Sequence, residues 1–216
     1  MINFYKEVCF MRFKFIFVYI VVSLFIFFFL SYEREVKTEQ FLDSKTQLYK
    51  KLYNVHYHNY KVESKVIFDS LINNENIKVL YTKLQDANTT EKDILRDQLY
   101  KSLEKVYNSL KYTNLKQLHF HLKNNDSFLR MHKPNKYGDN LTKIRETVAY
   151  VNKEHKSIDG FEMGRVYSGL RFVYPIQDNE QHLGSVEISF DISVFTIEFI
   201  EHFGIISNFY FDQNIY

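Results

Sequence analysis

Two histidines one residue apart carry the chain's first hint of chemistry. His119 and His121 alternate with Leu118, Phe120 and Leu122. A period of two marks a half-buried strand, and residues i and i+2 of a strand share a face. A His-x-His pair on one face is a metal-ligand geometry, with His132 as a third nitrogen from a paired strand. The same pair equally fits hydrogen bonds inside a sheet or contact with an organic ligand, because no third ligand has diagnostic spacing. Arg130, Arg165 and Arg171 fall on three expected strands, and each offers a fork of donors suited to a carboxylate or phosphate. Glu162 and Glu187 lie on two strands of the same set. Arg–Glu pairing across the sheet is the alternative use of these arginines, since buried charges must be paired.

Arg130 and Arg165 sit amid aromatic residues, beside His132 and Tyr167. The expected ligand-contacting set is therefore Arg130, His132, Arg165, Tyr167, Tyr174, His119 and His121. Tyr150 and Phe172 either join a pocket or belong to the core. The expected structural set is Gly138, Asp139, Gly160, Gly164, Glu162, Arg171, Gly184 and Glu187, with Gly164 read as a mid-strand bulge or a close backbone approach. No nucleophile elbow, phosphate loop, zinc-protease helix or dinucleotide fingerprint occurs. No catalytic residue and no cofactor are expected.

These residues need elements to hold them. All six Gly and both Pro lie beyond residue 115. Gly and Pro mark forced backbone turns, so the compact part of the chain is expected there. Hydrophobic content of 45% is enough for a packed core, and a net charge of +2 with mixed signs implies no nucleic-acid partner. From Phe15 to Leu30 there is no charged residue. With Ser31 and Tyr32 this run is just long enough to span hydrocarbon, which needs ~20 residues. The exit Ser31-Tyr32-Glu33-Arg34-Glu35 holds no small-residue cleavage site, so an uncleaved anchor over 15–32 is expected rather than a signal peptide. Lys6, Arg12 and Lys14 precede it against Glu7 alone, which favours a cytoplasmic 1–14 and an exported remainder. The single cysteine, Cys9, would then be cytoplasmic, and no disulfide would support the exported part.

Residues 33–114 read as a helical stalk and hairpin. Phe41, Leu48, Val55 and Val62 repeat every seven residues, a stripe for a partner helix or a domain that leaves a homodimer open. Asn73-Asn74 breaks the helix, a short helix follows over 77–85, and Thr90 with Asp93 reads as a capping box for the next. Strands are expected over 118–122, 127–132, 161–167, 170–176 and 182–190. A helix over 141–152, capped by Asp139 or Asn140, separates the second strand from the third. A helix over 193–203 and a strand beginning at 205 follow. The fold class is α+β: a five-stranded antiparallel sheet flanked by helices.

The segments LHFHLKNNDSFLRMHKPNKYGDNLTKIRETV (118–148), GFEMGRVYSGLRFVYPI (160–176) and LGSVEISF (183–190) resemble the double Cache, PAS-like sensory domains of bacterial histidine kinases, chemoreceptors and diguanylate cyclases. The resemblance covers about a third of the chain and makes 115–191 the sensor domain, with 192–216 as the start of a further helix–strand unit. It implies a periplasmic input module in the inner membrane whose small ligand shifts the helices leading to the membrane. Such receptors continue into a second span and an output domain, so a truncated receptor is expected here. A non-signalling fragment or dimerising adaptor, and a metal sensor using His119, His121 and His132, stand as the alternatives.

Overall fold

The computed structural model describes residues 2–164 and 168–210, with side chains described from residue 10 onward. Two compact units divide the chain, Met1–Asn54 and Val55–Tyr216. The first unit is helical throughout its described length, as part of helix α1 (Ile2–Ile67). No Gly or Pro interrupts it. Its apolar run leaves every large side chain from Phe15 to Leu30 exposed. Among the described residues α1 is the one helix long and apolar enough to cross a membrane.

The second unit begins with the last turns of α1. A π turn (Phe68–Ile72) ends it, closed by Asn73 N–H donating to Phe68 O at 2.8 Å. Asn74 then caps α2 (Glu75–Leu84), its side chain accepting from Ile77 N–H at 3.2 Å. Helix α3 (Thr89–Leu110) starts at a capping box made by Asn88 and Glu91. The expected box of Thr90 and Asp93 does not form. Asn88 meets the same spacing requirement two residues earlier, and Asp93 instead pairs with Arg96.

Five strands follow: β1 (Leu115–Leu122), β2 (Ser127–Arg130), β3 (Ile158–Glu162), β4 (Gly169–Asp178) and β5 (Gln181–Asp191), in the antiparallel order β2-β1-β5-β4-β3. Between β2 and β3 lies α4 (Glu146–Glu154), and α5 (Ser193–Phe203) follows β5. Several boundaries differ from expectation. Helix α4 starts at Glu146, not at 141, and neither Asp139 nor Asn140 caps it. Asp139 is taken by Arg130, and the Asn140 side chain bonds Asn124 O and Asp126. Strand β3 is shifted toward the N-terminus, so Gly164 lies past its end and is no bulge. Residues 205–210 form no strand.

The register assigns the two faces of the sheet. Leu118, Phe120, Val186, Ile188, Phe190, Leu170 and Phe172 share one face, all without solvent exposure. Helices cover this face: Tyr60 of α1 meets Phe190 at 4.7 Å between rings, Phe68 stacks on Tyr174 at 4.6 Å, and Tyr81 of α2 meets Phe128 at 6.1 Å. Each such fully buried side chain contributes about 1.5–3 kcal/mol. The opposite face is also buried, but it is polar.

Candidate functional site: a buried polar face of the sheet

On the polar face the sequence period of two becomes a cross-strand cluster. His119 of β1 lies opposite Arg130 on β2 and opposite Glu187 on β5. His121 lies opposite Ser127 and Ser185. Arg171 on β4 faces Ser189 on β5 and Gly160 on β3. All these side chains except Gly160 are buried, and His121, Arg171, Ser185, Glu187 and Ser189 are completely so. Helix α4 covers the face, packing Val148 and Val151 against Val173 and Ile158.

The charges here are linked in a line. Thr147, in the first turn of α4, donates its backbone N–H and its hydroxyl to the Glu162 carboxylate, at 3.3 and 3.1 Å. Arg171 Nε lies 2.9 Å from Glu162 Oε2, and Arg171 Nη1 donates to Glu187 Oε1. Ser189 Oγ donates to the same Glu187 oxygen at 3.0 Å. A carboxylate from β3 thus does the capping expected of Asp139 or Asn140, and the α4 dipole favours its negative charge. Burial raises the Glu162 carboxyl above its usual range despite Arg171. Burial acts the same way on Glu187, but positive charge, chiefly that of Arg171, outweighs it and leaves that carboxyl below its usual range.

The histidines are held from outside. His119 Nε2 bonds Ser127 Oγ at 2.8 Å, and His121 Nδ1 bonds Ser185 Oγ at 3.1 Å, with the two rings 4.1 Å apart. Burial, reinforced by nearby positive charge, lowers both imidazoles, His121 to about 3. Both are neutral at physiological pH. His121 Nε2 and Glu187 Oε2 are enclosed and have no hydrogen-bond partner among the described residues.

The predicted ligand-contacting residues do not all meet here. His119, His121 and Arg130 do. Arg130 donates from Nη1 and Nη2 to the two Asp139 oxygens at 2.8 and 2.9 Å, and from Nη1 to Lys136 O at 2.7 Å. It therefore ties the 131–140 segment to β2, and Gly138, at φ +85, lets that segment turn back to bond Ser127 O. His132 is exposed, beyond the end of β2, with its ring on Gln117 at 3.1 Å. The third donor beside His119 and His121 is Glu187 rather than His132, because β2 stops at Arg130 while β5 runs directly alongside β1. Tyr174 points to the helix-covered face, its hydroxyl 2.8 Å from Ser64 Oγ, and borders a separate open groove of about 1240 Å³ beside α1. Phe172 is core, and Tyr150 on α4 is exposed. Arg165 and Tyr167 lie outside the described residues.

Of the residues expected to be structural, Glu162, Arg171, Glu187 and Asp139 form the ion pairs just described. Gly184 sits where a Cβ would meet the His121 carbonyl and, at 2.7 Å, the Tyr81 ring. Sequence reasoning missed Ser127, Ser185, Ser189 and Thr147. The alternation Ser185-Val186-Glu187-Ile188-Ser189 carries the signal for a polar face on β5, as His119-Phe120-His121 does on β1.

No curated protein sequence matches the chain. Among solved structures, the chain is similar to the sensor domain of the V. cholerae histidine kinase DctB, with 14% identity, 69% of this chain and 59% of that chain covered, and TM-score 0.47. It is also similar to a domain of a putative sensory box/GGDEF family protein from Vibrio parahaemolyticus (17% identity, 68% and 61% covered, TM-score 0.42). A third is the ligand-binding domain of the Campylobacter jejuni chemoreceptor Tlp3 in complex with 4-methylisoleucine (12%, 68% and 62%, TM-score 0.39). The chain thus spans about six tenths of the length of these structures. A family profile described as the double sensory domain of two-component sensor kinase, dCache_3, matches residues 92–215. That stretch takes in most of α3, the whole sheet, α4 and α5, more than half of the chain, and so the polar face is part of a sensory domain: this chain belongs to the double Cache sensory-domain family.

Proposed function

We propose that this chain is the membrane-anchored, extracytoplasmic input module of a receptor, and that it binds a small molecule on the polar face of its sheet. The observation that carries the reading is the asymmetry of that sheet. One face is apolar and filled by helices. The other buries His119, His121, Arg171 and Glu187, with His121 Nε2 and Glu187 Oε2 left over. Buried polar groups without partners cost stability, so they persist where something else uses them.

The domain reading assigns 1–14 to the cytoplasm, 15–32 to a single span of the inner membrane, 33–114 to the stalk and helical hairpin, 115–191 to the sensor, and 192–216 to the start of a further unit. The basic residues before the span support that orientation. Phe41, Leu48, Val55 and Val62 are all exposed, which suits pairing with a second copy of the stalk. Within the site, His119 and His121 contact the ligand, Arg130 and Asp139 shape the wall over it, and Arg165 and Tyr167 lie next in sequence to β3. Ligand binding would shift α4 against the sheet and pass to the helices on the far face. The module binds and does not catalyse.

The test is thermal unfolding of the full chain in detergent against amino acids, organic acids, amines and divalent metals. A ligand specific to the native state raises the midpoint by mass action, worth about 2.7 kcal/mol at a hundred times Kd. A dose-dependent rise for one compound class, lost in His119→Gln, supports the proposal. A cooperative transition that no compound moves contradicts it.

A further inference from the structure

Two buried atoms on the polar face, His121 Nε2 and Glu187 Oε2, point at no partner among the described residues. They are not isolated from each other. One ring nitrogen of His119, one of His121 and one carboxylate oxygen of Glu187 all lie within 4.8 Å of one another, and all three residues are buried. Each side chain is also hydrogen-bonded within the sheet: His119 Nε2 to Ser127, His121 Nδ1 to Ser185, and Glu187 Oε1 to Arg171 and Ser189. His121 Nε2 and Glu187 Oε2 are thus the unpartnered ends of side chains fixed on their far sides, and His119 brings a ring nitrogen within reach of both. Outer hydrogen bonds of this kind orient metal-binding imidazoles and carboxylates and set which ring nitrogen is free.

In the tautomers in which Ser127 and Ser185 accept from the ring N–H groups, the other ring nitrogens present lone pairs. Three acceptors converging on one point attract a cation. One buried water has only two hydrogens to offer them. Two imidazoles and one carboxylate form a borderline donor set, which suits zinc and its late first-row neighbours rather than calcium or magnesium. Ligand distances near 2.0–2.2 Å place tetrahedral donors about 3.4 Å apart, so metal binding would draw these side chains inward from separations of up to 4.8 Å. Three protein ligands leave a coordination position open, as in sites that accept water or an exogenous anion.

We propose that His119, His121 and Glu187 form a buried site for a divalent late first-row transition metal. The proposal deepens the sensory reading and rests on the same face, naming the class of ligand that face takes.

The experiment titrates Co²⁺ into the full chain in detergent, after purification with and without chelator, and follows the visible ligand-field bands. Zinc content is measured on the chelator-free sample. One equivalent of tightly bound metal is expected, with bands lost in Glu187→Gln and His121→Gln and kept in His132→Asn. Circular dichroism establishes that each variant is folded. Should a variant not fold, the wild-type stoichiometry and bands, with the His132→Asn control, decide alone. Absence of stoichiometric metal and of bands in wild type overturns the site. If an organic compound still raises the unfolding midpoint in that case, the sensory reading survives while the metal does not. Undiminished binding in folded Glu187→Gln and His121→Gln also overturns the assignment.

Discussion

Arg171 and Glu187, on neighbouring strands and both completely buried, form an ion pair inside the sheet, with Arg171 also 2.9 Å from Glu162. One guanidinium therefore sits between two carboxylates, and the second carboxylate caps α4. The strand pair, the covering helix and the histidine cluster depend on one another through this cation.

Arg171→Ala leaves two buried carboxylates without their counter-charge. Breaking a buried pair from one side costs about 3–5 kcal/mol. Urea unfolding of the variant is expected to show a loss in that range. A loss under about 1 kcal/mol would mean that the carboxylates are satisfied by other groups.

Gly184 and Gly160 separate close approach from mere strand position. A Cβ at Gly184 meets the His121 carbonyl and Tyr81, whereas a Cβ at Gly160 meets nothing within 4 Å. Gly184→Ala is expected to destabilise by about 1–3 kcal/mol, and Gly160→Ala to stay within about 0.5 kcal/mol of wild type. Equal effects in thermal melts would contradict the packing of β1 and α2 around Gly184.

Arg130 and Asp139 act as a latch on the 131–140 segment. Arg130→Lys loses the two-pronged bond and is expected to speed hydrogen exchange and proteolysis within 131–140 while leaving β4 and β5 protected. The bond to Arg130 holds the Asp139 carboxyl below its ordinary value. Its contribution is present above the unfolded carboxyl pKa of about 3.9 and is lost as pH falls through the lower folded value. Unchanged exchange in Arg130→Lys would remove the latch.

The histidine pair predicts an acid sensitivity of the opposite origin. Burial lowers His119 and His121 in the folded chain, His121 to about 3. Below the unfolded histidine value of about 6.5, the unfolded chain takes up protons that the folded chain does not. Stability is complete above that pH and falls below it, by up to ~1.4 kcal/mol per pH unit for each histidine. Denaturant unfolding at a series of pH values checks the slope, and His121→Asn should reduce it by up to one proton. A flat profile between pH 6.5 and 4.5 would mean that the rings are solvated.

Much of this arrangement is legible in the sequence because it is local. The alternation around Phe120 and around Val186 marks both strands and both faces, and Asn73-Asn74 marks the break after α1. Strand parity also places Tyr174 away from Arg171, since the two differ by an odd number of positions. What was not legible depends on contacts distant in sequence. Helix α4 starts where a carboxylate from β3 reaches it, so Asp139 and Asn140 misled. Glu187 joins the histidines because of the β1–β5 register, which no local pattern specifies. His132 shares the parity of Arg130, but β2 ends before reaching it.

A small-molecule site on the polar face would shield particular backbone segments from solvent. Hydrogen exchange of the full chain with and without the compound that raises its unfolding midpoint tests this most directly. Slowed exchange in α4 (146–154) and in the β1 and β5 segments 117–122 and 184–190 is the predicted result. Protection confined to 61–69 and 174–179 would instead place the ligand in the open groove beside α1, away from the polar face.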